Sequence, residues 1–177
     1  MTWKSHIAIA TAVTLPFNPL GIPFAILGST APDWSEWVLG FFGISVTHRG
    51  ATHYLYVPLI FIFAGLFTSD FIFWFGIGYL THWFADSLTI SGVPISQFDN
   101  HRIHFFGGSI RTGEPKEYLF SFGFLLVVFL IVQPTINGLK NTSKYEVFNP
   151  YFIQFSELYA DKIIDEKSYR DNKFKLF

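Results

Sequence analysis

With 177 residues the chain has the length of one domain, but 50% of it is hydrophobic, with 23 Phe and 5 Trp, and only 14% is charged. Soluble domains carry about a quarter charged residues, so the composition excludes an ordinary soluble fold and points to a bilayer. A net charge of −1 offers nucleic acid nothing to hold, and the absence of Cys removes disulfides and thiolate ligands.

The first apolar run, Ile7 to Leu15, follows Lys4 in the manner of a secretory signal. It starts at His6, breaks early at Pro16 and is followed by further apolar segments, so it reads as retained. A second arm runs from Ile22 to Leu27. Between the arms lies Pro16-Phe17-Asn18-Pro19-Leu20-Gly21, with the composition of a turn. Neither arm reaches the ~20 residues a spanning helix needs, so a helical hairpin that enters and returns is expected. It places His6 and Asp33, each just beyond one arm, at the same membrane face.

Trp34 to Ile44 reads as a short aromatic helix or interfacial segment. Tyr54 to Phe67 and Phe71 to Ile90 are the next apolar blocks. The polar turn Thr68-Ser69-Asp70 joins them as antiparallel neighbours. Gly92 to Glu117 is a polar loop, and Pro115 with Glu117 marks a helix start. Tyr118 to Ile136 is the clearest span. From Lys140 the chain turns polar, and Phe152, Phe155, Tyr159 and Ile163 form an apolar stripe on a further helix. The expected fold is thus all-α: a polytopic helical membrane protein with an N-terminal half-membrane hairpin, about three full spans and a soluble C-terminal tail. Residues 1–139 form the membrane-embedded part and 140–177 the tail. Lys4, Arg49, Arg102, Arg111 and Lys116 lie beside the His/Asp-bearing face, against Lys140 and Lys144 opposite, which leans that face to the cytoplasm.

Four of the six His and two Asp fall at helix ends that this topology gathers. His82 and Asp86, four apart, share one helical face. An ionisable group inside an apolar helix costs at least ~2.5 kcal/mol by insertion scales. Two on one face therefore ask for a partner, either each other or a cation. His48 and His53 flank Arg49-Gly50-Ala51-Thr52, where Gly50 permits a bend and Thr52 can cap the next helix, putting His53 in its first turn. Arg49 suits an anionic oxygen, or serves as a positively charged membrane anchor. Asp33 follows Pro32 and is either a ligand or a helix cap with Glu36 as its first-turn acid. Imidazoles and carboxylates without thiolates suit a divalent metal, Zn²⁺ ahead of Mn²⁺. His101 and His104 lie in the polar loop and read as exposed. No phosphate-binding Gly-rich loop, nucleophile elbow or dinucleotide fingerprint occurs.

The pattern resembles the bacterial YdjM-type membrane-bound metal-dependent hydrolases. The resemblance covers Trp3 to Glu117 and rests on His6, Gly28 through Ala-Pro-Asp33, and His48-Arg-Gly-Ala-Thr-His53. It continues through Thr81-His-Trp-Phe-Ala-Asp86-Ser-Leu-Thr, Ser91-Gly-Val-Pro94 and Arg111-Thr-Gly-Glu-Pro-Lys-Glu117. It implies hydrolysis at a divalent metal in the inner membrane. More loosely, the His-x3-Asp spacing is similar to zinc-dependent phospholipase C. Members often carry a second acid right after Pro-Asp, where this chain has Trp34 and Ser35, so Glu36 is the available substitute.

The expected function is hydrolysis of a membrane-derived ester such as a phospholipid phosphodiester. His6, Asp33, His53, His82 and Asp86 are the expected ligands, His48 a ligand or general base, and Arg49 the group that meets developing negative charge. The partners are membrane lipid and a lipid or small-molecule substrate, with no nucleic acid. Two other classes remain: a non-catalytic protein whose metal holds its helices together, and an ion transporter. The transporter ranks last, because Tyr54–Phe67 and Tyr118–Val132 offer almost no polar groups along the membrane depth.

Overall fold

A computed structural model of the chain describes residues 1–45, 47–98 and 101–142, with side chains as far as Gln133. Five helices carry it: α1 (Trp3–Thr14), α2 (Ile22–Phe41), α3 (Tyr56–Thr68), α4 (Asp70–Ser87) and α5 (Pro115–Thr142). Met1–Leu130 form one compact unit, and of the second, from Ile131, only the continuation of α5 is described. The expected apolar stripe from Phe152 to Ile163 lies outside the described residues.

The turn at Asn18 folds the first two helices back on each other. The Asn18 side chain accepts from the backbone N–H of Leu20 at 3.0 Å and of Gly21 at 3.3 Å, capping a 3-10 turn over Pro19–Gly21. α1 and the first half of α2 then run antiparallel, so Trp3 reaches Asp33 across 30 positions of sequence, its indole N–H donating at 2.8 Å.

α2 departs from the sequence expectation. The sequence predicts two separate segments, Ile22 to Leu27 and Trp34 to Ile44, whereas one helix runs from Ile22 to Phe41 with Pro32 inside it. Asp33 is therefore mid-helix and caps nothing. An interior proline removes one backbone donor and costs about 3 kcal/mol. Packing against α4 offsets that cost. Gly28 and Gly78 let the two backbones touch: a Cβ on Gly28 would lie 1.9 Å from the Phe75 carbonyl oxygen, and one on Gly78 would lie 1.9 Å from that of Ala25. α3 meets α4 in the same way, with a Cβ on Gly65 falling 2.2 Å from the Phe73 nitrogen.

Ser69 alone separates α3 from α4, and its hydroxyl accepts from the Phe71 N–H at 3.2 Å. His53 lies in a 3-10 turn, Ala51–His53, ahead of α3 and not in its first turn, and Thr52 does not cap that helix. The bend falls on Arg49, whose φ is +58°, rather than on Gly50. Gly50 instead allows a close approach, since a Cβ there would meet the Thr47 carbonyl oxygen at 2.6 Å.

The polar loop contains a short antiparallel ribbon, β1 (Val93–Pro94) with β2 (Arg102–Ile103), in which Val93 pairs with Ile103. α5 begins at Pro115 as expected. Glu117 in its first turn is buried and accepts from the Thr2 N–H at 2.6 Å, the Thr2 hydroxyl at 2.7 Å and the Gly113 N–H at 2.7 Å. This carboxylate ties the start of α1 to the start of α5. Of the three spans expected, Pro115–Gln133 alone is both long and apolar enough to cross a membrane, among the described residues. Its apolar side chains point outwards, with Leu119 77% and Ile131 68% exposed, as hydrocarbon surroundings allow. α3 is apolar but, with 13 residues, only about 20 Å long. α4 carries Asp70, His82 and Asp86 among its 18 residues.

The α2–α4 contact gives a direct prediction. Gly78→Val forces the helices apart and destabilises the fold by about 1–3 kcal/mol, the range for overpacked cores. Gly40→Ala, at a position with open space around it, leaves stability unchanged or slightly raised. Thermal unfolding in detergent distinguishes the two.

Candidate metal centre

The close α2–α4 crossing sets Asp33 against the His82 face of α4, and the hairpin brings His6 there from α1. His53 enters from the turn before α3. Tyr79 fixes that turn by donating its hydroxyl to the Thr52 carbonyl. His6, His53, His82 and Asp86 are buried, and the Asp33 side chain is 16% exposed. Two overlapping groups, His6/Asp33/His82 and His53/His82/Asp86, each place their ligand atoms within 4.8 Å of one another, close enough to hold a metal ion.

The hydrogen bonds determine which atoms face the centre. His82 Nδ1 lies 2.7 Å from the Ser29 carbonyl oxygen, which can only accept, so Nδ1 carries a proton, and in the neutral ring Nε2 is bare. The Thr52 hydroxyl donates its one proton to Glu36 Oε1 at 3.1 Å. Its oxygen is 2.9 Å from His53 Nδ1, so there the imidazole must donate, and His53 Nε2 is bare as well. The two bare Nε2 atoms stand 3.1 Å apart. Burial, reinforced by the adjacent His82, pushes the His53 pKa down against the pull of Asp33, which keeps the ring neutral.

The carboxylates divide their oxygens in a parallel way. Asp33 Oδ2 takes the Trp3 indole proton, and Oδ1 faces His53 Nε2 at 3.5 Å and His82 Nε2 at 3.9 Å. Asp86 Oδ1 receives the Met1 amino group and, at 3.0 Å, Arg49 Nη2. Its Oδ2 faces His82 Nε2 at 3.6 Å and His53 Nε2 at 4.0 Å. With both rings neutral, four acceptor atoms thus converge. A tetrahedral zinc with ligands at about 2.0–2.2 Å needs donor atoms about 3.3–3.6 Å apart, close to the spacings here. His6 adds to the demand for a cation. Its ring stacks on His82 at 3.8 Å, and among the described residues neither of its buried nitrogens makes a hydrogen bond, Nε2 lying 3.5 Å from Asp86 Oδ1. The donor set fits a divalent ion.

Comparison with known families returns a match to the YdjM inner membrane protein family over residues 1–137. The chain belongs to this family. No curated protein and no solved structure matches it. Membership in an inner membrane family gives the chain a membrane location, consistent with the apolar Pro115–Gln133 segment.

Around the centre of this YdjM-family chain, the remaining expected residues take different positions. Arg49 is turned inward, not outward as a membrane anchor. Its Nη1 donates to Thr89 Oγ1 at 3.1 Å and to the Gly92 carbonyl at 3.0 Å, and its Nη2 to Asp86. His48 joins neither ligand group. It is 67% exposed and sits 2.8 Å from Glu36 Oε2. Glu36 stands one layer out, its Oε1 accepting from the Arg49 N–H at 3.2 Å as well as from Thr52. His104 Nδ1 lies 3.2 Å from the Thr89 carbonyl oxygen, outside both groups. Sequence reasoning missed the supporting roles of Ser29, Thr52 and Trp3. The adjacency of Thr52 to His53 is the one available signal, and in sequence it fits a helix cap equally well.

Divalent zinc should raise the melting temperature of the wild-type protein, and chelation should reverse the gain. At an ion concentration 100 times Kd the stabilisation amounts to about 2.7 kcal/mol. His82→Ala, which removes the member common to both groups, should abolish the zinc-dependent part of the shift.

Proposed function

We propose that this chain is a membrane-bound metal-dependent hydrolase acting on a lipid-derived ester such as a phospholipid phosphodiester. The observation that carries the reading is the convergence of His53 Nε2, His82 Nε2, Asp33 Oδ1 and Asp86 Oδ2, with an orphaned His6 beside them. In this reading His6, Asp33, His53, His82 and Asp86 hold the ion, with zinc favoured over manganese by the nitrogen and carboxylate donors. Such an ion supplies Lewis acidity towards the ester oxygen and makes water a nucleophile near neutral pH.

The chain's own residues do the rest. Arg49 holds Asp86 in place through one nitrogen while its charge stands beside the site, where it favours negative charge developing on the substrate. His48, exposed and hydrogen-bonded to Glu36, is the side chain available to exchange a proton with solvent. Substrate reaches the site past Asp33, its most exposed ligand. Trp3, bonded to Asp33, pairs with Trp37 at 5.6 Å between ring centroids, and Trp37 is 71% exposed. Tryptophans of this kind concentrate at the headgroup level of a bilayer, which favours a lipid headgroup as the substrate. In the same reading the chain is multi-pass, with the α1–α2 hairpin entering and returning and α5 crossing, and its basic residues lean the site towards the cytoplasm.

A structural metal site is the second reading. It is favoured by the burial of His6, His53 and His82 and by the availability of five protein donors, since structural sites are closed and catalytic ones keep an open position. Activity separates the two. Purified protein in phospholipid micelles should release headgroup or acyl product, lose this activity on chelation and regain it with zinc. Asp33→Asn and His82→Ala should reduce turnover to background. Turnover that survives chelation, or that persists in both variants, rejects the hydrolase mechanism. Zinc binding without turnover on any phospholipid favours the structural role.

A further inference from the structure

We infer that Glu36 and Thr52 are positioning residues that lock His53 in the tautomer able to bind a metal through Nε2. The inference rests on the metal reading of the site but concerns a proton that can be observed without the metal. A threonine hydroxyl has one hydrogen. Here it goes to Glu36 Oε1 at 3.1 Å, and this leaves the Thr52 oxygen as an acceptor for His53 Nδ1 at 2.9 Å. Were Glu36 missing, the hydroxyl could rotate and donate to Nδ1. The ring proton would then sit on Nε2, the atom that faces His82 Nε2 at 3.1 Å and Asp33 Oδ1 at 3.5 Å, and the ligand position would be blocked.

Glu36 is itself held for this task. The Arg49 backbone N–H donates to the same oxygen at 3.2 Å, which fixes the carboxylate while leaving its acceptor character intact. Oε1 also lies 3.3 Å from His53 Nδ1, so its charge favours a proton there. Glu36 follows Asp33 by three residues on α2, so ligand and lock ride on one face of a single continuous helix. Because α2 continues through Pro32, Asp33 and Glu36 also stay in register with Ser29, which holds His82 from the preceding turn. Outer partners that orient a ligating imidazole usually matter 10–100-fold, in round terms about that factor in metal affinity.

Two readouts test the inference. In metal-free wild-type protein, ¹⁵N spectra of the imidazoles should show His53 protonated at Nδ1 and bare at Nε2. Glu36→Ala, which frees the Thr52 hydroxyl to donate to Nδ1, should shift the proton population of His53 towards Nε2 while His82, held by Ser29, keeps its tautomer. The double variant Glu36→Ala/Thr52→Val, with no hydroxyl to donate, should shift it less. Zinc affinity, measured by competition with a chromophoric chelator, should fall about 10–100-fold in Glu36→Ala and be retained in Thr52→Ser. A wild-type His53 carrying its proton on Nε2 overturns the lock whether or not the protein binds zinc. So does a folded Glu36→Ala protein that binds zinc as tightly as wild type. Failure of the wild type to bind zinc, with the Nδ1 proton in place, removes the metal reading instead and restricts Glu36 and Thr52 to ordering a polar core.

Discussion

With both rings neutral, the Nε2 atoms of His53 and His82, 3.1 Å apart and faced by two carboxylate oxygens, form an arrangement that repels itself. Each lone pair points at others, and burial removes the water that would otherwise separate them. A proton shared between the rings can relieve one contact. It leaves His6, whose Nε2 lies 3.5 Å from Asp86 Oδ1, without a hydrogen bond. A divalent cation relieves the whole cluster at once. The neighbouring positive groups do not substitute for it, because Arg49 and the Met1 amino group are spent on the far oxygen of Asp86.

The rest of the fold serves to hold these donors together. Gly28 against the Phe75 carbonyl and Gly78 against that of Ala25 bring α2 and α4 into backbone contact. Only at that separation can Ser29 on α2 accept the His82 proton, and this bond turns Nε2 to the centre. The Asn18 turn returns α2 to the level of His6, and Glu117 fastens the start of α1 to α5. Small residues at the crossings and polar clamps at the helix starts are the usual means of packing helices where lipid supplies no hydrophobic drive between them.

Much of this was legible in the residues. Asn18 between two prolines signalled the hairpin, the four-residue spacing of His82 and Asp86 signalled a shared face, and Pro115 with Glu117 marked the start of α5. The errors came where tertiary contact overrode a local rule. Pro32 reads as a break, yet packing on α4 carries the helix through it. Gly50 reads as the bend, yet Arg49 takes the left-handed conformation because its side chain is drawn inward by Asp86, Thr89 and Gly92. Thr52 reads as a cap because its partner, Glu36, is 16 positions away and no local pattern links them. His48, equal to His53 in sequence, lies on the outer side of Glu36, a distinction that only the placement of α2 creates.

The cation is the claim on which the others depend, and X-ray absorption at the metal edge tests it most directly. Protein extracted from membranes should hold bound zinc whose first shell consists of nitrogen and oxygen at about 2.0–2.2 Å, with the outer-shell scattering of at least two imidazoles. A spectrum without imidazole scattering, or a protein that takes up no divalent ion when supplied with one, would contradict the account.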